Sequence, residues 1–255
     1  MMRHIIALTA IAIAALAGRV LAVPTFYAEA NAYNTGSYES THDLNWQAAV
    51  GSFREHDLDN YVDGANIDRL RFGSIVVDVG LGDMTSPAEP TAITSNTARI
   101  FESRWGGYSE YGTVHRRALL NWDFEGNPHD AFVFDFSTPV AGFGAWVYDD
   151  SIATHESFYM GVVEDGGAAF ISPVLESHNA NAHFIEGWLG ATSSVGITRA
   201  FFFASETGGS DPVTRTFEID HLQLSPIPVP GAALLSLLGA GLVTAGLRRN
   251  RTSRS

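Results

Sequence analysis

Short runs of β-forming residues, separated by turn residues, dominate the middle of this 255-residue sequence. The clearest runs place apolar side chains at every second position, as in Phe132, Phe134 and Phe136, and again in Phe143, Ala145 and Val147. This period of two is typical of strands that bury one face. Similar runs occupy residues 75–79, 119–124, 158–163, 197–204 and 217–224. Many short strands without intervening helices predict an all-β fold, a two-sheet antiparallel sandwich of jelly-roll type.

Turn-forming residues divide the runs, at residues 137–139, 165–167 and 208–212 among others. Helical periodicity is weak, and only residues 44–53 are compatible with a short helix. Four tryptophans lie in patterned surroundings and are interpreted as core residues: Trp46, Trp122, Trp146 and Trp188.

The last run changes phase. Phe217 and Ile219 share one parity, whereas Leu222 and Leu224 share the other. Side chains of a regular strand alternate between its two faces. Leu222 and Leu224 would therefore leave the inward face unless the strand contains one extra residue near Asp220. A β-bulge at Asp220-His221 would restore it. The alternative is that the two halves of the run face different surroundings.

The charge of the middle part limits its partners. All 28 acidic residues lie between Val23 and Ser225, with nine of the 15 arginines and no lysine, which gives a net charge of −19. Such a surface repels nucleic acid and anionic lipid, so a nucleic-acid-binding role is disfavoured. Cysteine is absent, which excludes thiol chemistry and disulfides.

The N-terminus has the pattern of a secretory signal helix. A basic start is followed by an apolar segment at residues 5–17, within the ~7–15 residues of a signal-peptide core. Residues 1–22 are therefore predicted to be a signal peptide cleaved after Ala22, with Ala17 as a second candidate cleavage site. An uncleaved N-terminal anchor is the alternative. Residues 23–225 would then form the exported domain.

Residues 226–255 have a different, three-part pattern. A proline-rich linker at 226–230 precedes an uncharged apolar run at 231–247, and an arginine-rich end follows at 248–255. The linker is predicted to be extended. Seventeen apolar residues are at the short end of the ~17–25 that span a bilayer, so a C-terminal transmembrane helix is predicted. The arginines favour a cytoplasmic end. A buried core helix is the alternative.

This order of proline motif, apolar helix and arginine cluster resembles the PEP-CTERM sorting signal of Gram-negative bacteria. The residues that carry the resemblance are Ile227, Pro228, Val229, Pro230, Arg248 and Arg249. Val229 stands where the family's usual Val-Pro-Glu-Pro core has glutamate. The resemblance implies processing by an exosortase at the inner membrane, so the anchor would be temporary. It also implies a final location at the cell surface or in the extracellular matrix.

An acidic, turn-rich segment is the best candidate for a metal site. Asp57, Asp59 and Asp63 cluster there, and carboxylate oxygens are ligands that calcium prefers. The spacing is not that of an EF-hand. The segment is similar to one in carbohydrate-binding jelly rolls that hold calcium between an early acidic segment and the last strand. That resemblance implies that Asp220 joins Asp57 or Asp59. The alternative is a solvated acidic face.

Trp105, Tyr108 and Tyr111 lie on a glycine-rich segment and are candidates for stacking on sugar rings. The alternative is that the first two cap an edge of the sandwich. Catalytic motifs are weak: there is no nucleophile elbow and no zinc-protease motif. Glu125 beside Asp123, and Asp130 beside His129, are neighbours that chance alone produces in so acidic a chain.

Two functions of different classes follow. The first is a non-enzymatic exported surface or matrix protein, sorted through its tail and associated with exopolysaccharide, with calcium or carbohydrate as candidate ligands. The alternative is a secreted carbohydrate-active hydrolase that uses paired carboxylates such as Glu125.

Overall fold

The computed structural model describes residues 23–30, 41–84, 92–95, 98–102, 117–120, 130–149, 156–173, 175–176, 185–206 and 217–227. Within these ranges the chain forms one helix and thirteen strands. The elements are β1 (Thr25–Ala30), α1 (Thr41–Val50), β2 (Arg54–His56), β3 (Asn66–Ile67), β4 (Arg69–Phe72), β5 (Ile75–Gly82), β6 (Ala98–Glu102), β7 (Arg117–Leu120), β8 (Ala131–Asp149), β9 (Glu156–Glu164), β10 (Ala169–Ile171), β11 (Leu175–Glu176), β12 (Ile185–Glu206) and β13 (Glu218–Pro226).

The mainly β, antiparallel architecture is confirmed, since the recorded strand pairs are antiparallel. The short helix compatible with residues 44–53 is present as Thr41–Val50, three residues earlier at each end. Among the described residues no helix has the length and apolar character needed to cross a bilayer. The predicted signal helix and the predicted transmembrane helix at 231–247 lie outside the described residues.

Two long strands, β8 and β12, run through both layers of the fold. The first half of β8 pairs with β5 and the second half of β12, whereas its second half pairs with β13 and the first half of β12. Phe136 and Phe143 are seven positions apart, roughly 23 Å along a straight strand. Their ring centroids are nevertheless 5.0 Å apart. β8 therefore bends back, and the two layers face each other.

One layer has the order β4–β5–β8–β12–β9, with β10 and β11 on the far side of β9. The other has the order β1–β12–β8–β13–β7–β6–β3, with β2 also on β13. β13 therefore pairs on both sides, with β8 on one side and with β2 and β7 on the other. This places the predicted site residue Asp220 inside the sheet and not at its edge.

The turn predicted at residues 137–139 is the bend within β8. As turn-forming residues they predict a break between two strands, but β8 is continuous from Ala131 to Asp149. The register of pairing between β8 and β12 changes on either side of Ile197, which is the partner of Val140. Pro139 lacks a backbone N–H and is accommodated where the ladder is irregular. The same residues that end a short strand can thus bend a long one.

The core between the layers is aromatic. Phe132, Phe134 and Phe136 point into it together with Phe143, as their alternation predicts. Phe217 meets Phe132 and Phe158 edge to face, at centroid distances of 5.1 and 5.3 Å. Such contacts join the last strand to the opposite layer. A smaller cluster containing Val133, Phe201 and Phe203 lies on the outer side.

Helix α1 covers the outer face of the second layer. Trp46 from the helix packs edge to face on Trp188, and Trp188 packs on Trp146. The indoles pack directly on the backbone of glycines, because a Cβ on Gly144 would lie 2.4 Å from a Trp188 ring carbon. All three indoles are buried, so their interpretation as core is confirmed. Trp122 lies outside the described residues.

Candidate functional site

The predicted β-bulge is present in β13. Asp220 is opposite Trp146, and Gln223 is opposite Gly144, so β13 has one residue more than β8 between the two pairs. His221 has a φ of 47°, a left-handed conformation that is uncommon outside glycine. The bulge keeps the inward face, because Phe217, Ile219, Leu222 and Leu224 all belong to the same core.

A second strained residue lies beside the bulge. Leu58 has a φ of 58° and is fully buried in the main core. In the described residues, Leu58 and His221 are the two non-glycine positions with positive φ. Leu58 follows the end of β2 by two residues, and β2 pairs with β13 next to His221, since His56 is the partner of Leu222. Backbone strain of this kind clusters at functional sites, which directs attention to this part of the sheet.

Charged side chains converge there, and we name them the bulge cluster: Glu55, Asp57, Asp59, Asp220 and His221. His221 lies between two carboxylates, with Nδ1 3.3 Å from Asp220 Oδ2 and Nε2 3.6 Å from Glu55 Oε1. The backbone N–H of His221 donates to Asp220 Oδ1 at 2.7 Å. The cluster therefore links β13 to β2 through one imidazole.

Burial governs the ionisation of the pair. Asp220 is 3% exposed, and this desolvation raises the pKa of its carboxyl to about 6, against the hydrogen bond and charge of His221. The negative charge of Asp59 raises the same pKa further. Burial opposes the charge on His221, but Asp220, Glu55 and Asp57 together raise the pKa of the imidazole. Both shifts favour the protonated forms of the pair, so burial and the neighbouring acids together hold protons at this site.

The predicted calcium ligands are partly brought together. The charge of Asp57 acts on His221, and the charge of Asp59 acts on Asp220. Asp63 follows in the same loop and is exposed. In the described part of the chain, no three or more acidic or histidine side chains are arranged to hold a metal ion. Calcium binding stays a prediction.

Unpartnered donors lie next to the bulge on the outer face. Trp188, Trp146 and Asp220 are cross-strand neighbours in one row. The indole N–H groups of Trp146 and Trp188 have no hydrogen-bond partner, and neither does the side-chain nitrogen of Gln223. Gln223 Oε1 does accept a hydrogen bond from Gln47 of helix α1, at 3.3 Å. Buried donors are usually paired, so these three groups are an exception within the described core.

Several predicted site residues lie outside the described residues. They are Ala22, Trp105, Tyr108, Tyr111, Pro228, Val229, Pro230, Arg248 and Arg249, together with the acids Asp123 and Glu125. Ile227 is described, and 37% of its surface is exposed. Asp130 is half-buried, and its Oδ2 accepts the backbone N–H of Met84 at 3.0 Å.

Asp220 and the bulge were predicted from the sequence, whereas Glu55 and the row of Trp188, Trp146 and Asp220 were not. Glu55 is one acid among 28, and only the pairing of β2 with β13 gives it a partner. The row of Trp188, Trp146 and Asp220 depends on pairing between three strands that are distant in sequence. The change of parity between Ile219 and Leu222 was the one signal of this site that is visible in the local sequence.

The pH dependence of stability should report on Asp220. Its folded pKa of about 6 lies above the usual 3.8, so the folded state binds this proton more tightly. Stability from this group is then highest below about pH 4 and falls as the pH rises through 6, by about 3 kcal/mol. His221 acts in the same direction, since its raised pKa gives stability that is lost above 6.5.

We therefore expect Asp220→Asn to flatten the fall of unfolding free energy between pH 4 and 7, measured by denaturant melts in a chelating buffer. Asp165→Asn removes one exposed acid elsewhere and should keep the wild-type slope. Equal slopes in all three proteins would show that Asp220 does not titrate as its burial implies.

No protein-family profile matches the sequence, and no curated protein matches it. Thirteen solved chains share structural similarity with this one. A Clostridium thermocellum endo-1,4-β-D-xylanase 10B (CBM22-1-GH10 modules, complexed with xylohexaose) is 8% identical over 68% of this chain, with a TM-score of 0.31. This chain spans only 28% of that xylanase chain.

Two other solved domains are similar. The K2 cleaved adhesin domain of Lys-gingipain is 8% identical over 79% of this chain and 98% of its own, with a TM-score of 0.28. The CBM22-1 xylan-binding domain of Paenibacillus barcinonensis Xyn10C is 9% identical over 69% and 94%, with a TM-score of 0.23. Similarity at this level assigns neither a family nor a ligand to this chain.

Proposed function

We propose that this protein is a non-enzymatic exported surface or matrix protein, held briefly by its C-terminal tail and then released by an exosortase-type enzyme. Its mainly β body would associate with exopolysaccharide. One observation carries the proposal: the sheet ends where the sorting motif begins. Pro226 is still paired with Val140 in the sheet, and the next residue, Ile227, is exposed. Cleavage in the motif would therefore leave every strand of the described domain intact.

The charge of the body supports a hydrated polysaccharide setting. A net charge of −19 between Val23 and Ser225 disfavours nucleic acid and keeps the domain soluble. The exposed turn at Asp165–Gly167 and the exposed Asp59 and Asp63 are part of this acidic surface.

Processing can be tested in a Gram-negative host with and without the cognate sorting enzyme. We expect mass spectrometry of the exported protein to find a new C-terminus between residues 226 and 231 only when the enzyme is present. The double variant Pro228→Ala/Pro230→Ala should stay unprocessed yet melt like the parent, because both prolines follow the last strand. An intact tail in the exported parent protein, with the enzyme present, would refute the sorting step.

Polysaccharide association is tested with the purified domain and the exopolysaccharide of the same host. We expect co-sedimentation without new reducing ends. New reducing ends that disappear in Glu125→Gln would favour the hydrolase alternative. Absence of both binding and cleavage would remove the polysaccharide from the proposal and leave the sorted surface protein.

Calcium is proposed as a ligand of the acidic loop around Asp57 and Asp59, together with Asp220. A ligand that binds only the folded state stabilises it by about 2.7 kcal/mol at a hundredfold excess over its Kd. We therefore expect millimolar calcium to raise the melting temperature, and Asp59→Asn to reduce that rise. Asp165→Asn is the matched control. An unchanged melting temperature in calcium would eliminate the site.

A further inference from the structure

Both ends of the described domain lie in one row of the second layer. Thr25 at the start of β1 is the partner of Thr192, Thr192 of Gly142, and Gly142 of Ser225 near the end of β13. Three strand spacings separate the first residue of this row from the last, which is roughly 14 Å. Because β1 and β13 run in opposite directions, the chain enters and leaves the layer at the same end.

The tail leaves very little chain between this row and the apolar run. Pro226 is the last paired residue, and the apolar run begins at Gly231. The five residue steps from Pro226 to Gly231 reach at most about 18 Å when fully extended. A bilayer's polar zone is roughly 5–8 Å thick on each side. When the apolar run is in a bilayer, this end of the sheet must therefore lie close to the headgroups.

The surface at this end suits such a position, and we name it the exit face: Val23, Thr25, Pro139, Val195, Gly196 and Ile227. Val23, Val195 and Ile227 are 71%, 36% and 37% exposed, and they are three of the five exposed large apolar residues found in the described ranges. Ile227 and Pro139 both lie against Gly196, since a Cβ on Gly196 would lie 2.8 Å from an atom of each.

Charge at the exit face is low for so acidic a body. Glu164 is buried and accepts the hydroxyl of Ser193 at 2.7 Å. Asp165 is exposed beside it, with its N–H donating to Gly196, and Arg54 of β2 is exposed near the end of β13. By contrast, β2 runs away from this end toward the acidic residues Asp57 and Asp59. Repulsion by anionic headgroups would therefore hold the bulge cluster away from the bilayer.

We propose that the exit face rests on the outer surface of the bilayer while the tail is inserted, so that the opposite end of the sheet, with the bulge cluster's acidic loop, points outward. The partner is the lipid headgroup layer. This inference rests on the proposed function, because it needs the tail as an anchor. It adds an orientation and a membrane-contact surface that the tail by itself does not specify.

The orientation can be measured by site-directed fluorescence, because the chain has no native cysteine. Val195→Cys labels the exit face, and Val62→Cys is the matched control, an exposed valine in the loop that hydrogen-bonds to Ile100. Ile100 is linked through Leu119 and Ile219 to Val147, five residues along β8 from Gly142. Val147 is therefore roughly 17 Å along the strand from the row that joins Thr25 to Ser225.

Each full-length variant is produced in membranes of a host without the sorting enzyme and labelled, and melting curves check the fold. Nitroxide lipids added to the outer leaflet should quench the label at position 195 at least about threefold more than the label at 62, given that separation. Equal quenching, or stronger quenching at 62, would overturn the orientation while the tail anchor stands. Recovery of both variants in the soluble fraction would overturn the anchor and the orientation together.

Discussion

Replacing Phe143 by alanine is expected to destabilise the domain by about 3–5 kcal/mol, the usual cost of a phenylalanine cavity in a core. Phe143 is fully buried. Its ring lies 5.0 Å from the rings of Phe134 and Phe136, and 6.2 Å from that of Phe202. These contacts cross between the layers, so no single strand can move to fill the space.

The measurement is the unfolding free energy from denaturant melts of the purified domain. Phe53→Ala is the matched control, because Phe53 is only partly buried and packs at the margin of the tryptophan cluster. It should cost less than about 2 kcal/mol. If the two variants lost similar stability, Phe143 would not be the centre of the core.

Deleting Gln223 is expected to unfold the domain, whereas deleting His221 is expected to leave it folded. Without His221, Leu222 follows Ile219 by two positions, so the inward face continues through Leu224 with no bulge. The pairing with β8 then becomes regular. Without Gln223, Leu224 turns to the outer face, and Ser225 turns into the core and loses the hydrogen bond that its hydroxyl donates to Ser52 O at 2.8 Å. Losing a leucine from the core and leaving a buried hydroxyl without its partner together cost more than about 5 kcal/mol, which is comparable with the whole stability of many domains.

Circular dichroism and melting of the two deletion variants give the comparison. The His221 deletion is best combined with Asp220→Asn, because it removes the imidazole that faces the buried carboxylate. We expect this double variant to melt cooperatively, with a loss below about 2 kcal/mol. An equal loss of melting temperature in both deletion variants would mean that the bulge does not set the register of β13.

The β-bulge in β13 is a feature that the sequence could predict. The parity change from Ile219 to Leu222 is a local property, and it located the extra residue because side chains in a strand alternate strictly. The alternation at Phe132 to Phe136 likewise identified the inward face. These predictions held because they require only neighbouring residues in one strand.

The continuity of β8 through Pro139 could not be predicted in this way. A proline beside serine and threonine ends most strands, and only the pairing with β12 and β13 shows that the strand bends and continues. The same limit applies to Glu55. Its proximity to His221 follows from β2 joining β13, a contact between segments more than 160 residues apart.

The sequence by itself determined the mainly β class, the side-chain faces of its strands, the change of parity at Asp220-His221 and the acidic character of residues 23–225. All of these are local or additive properties. The tertiary structure alone decided that Asp220 is buried beside His221 and that Thr25 and Ser225 share one end of a layer. The reason is physical: strand pairing and desolvation depend on which distant segments exclude water from each other.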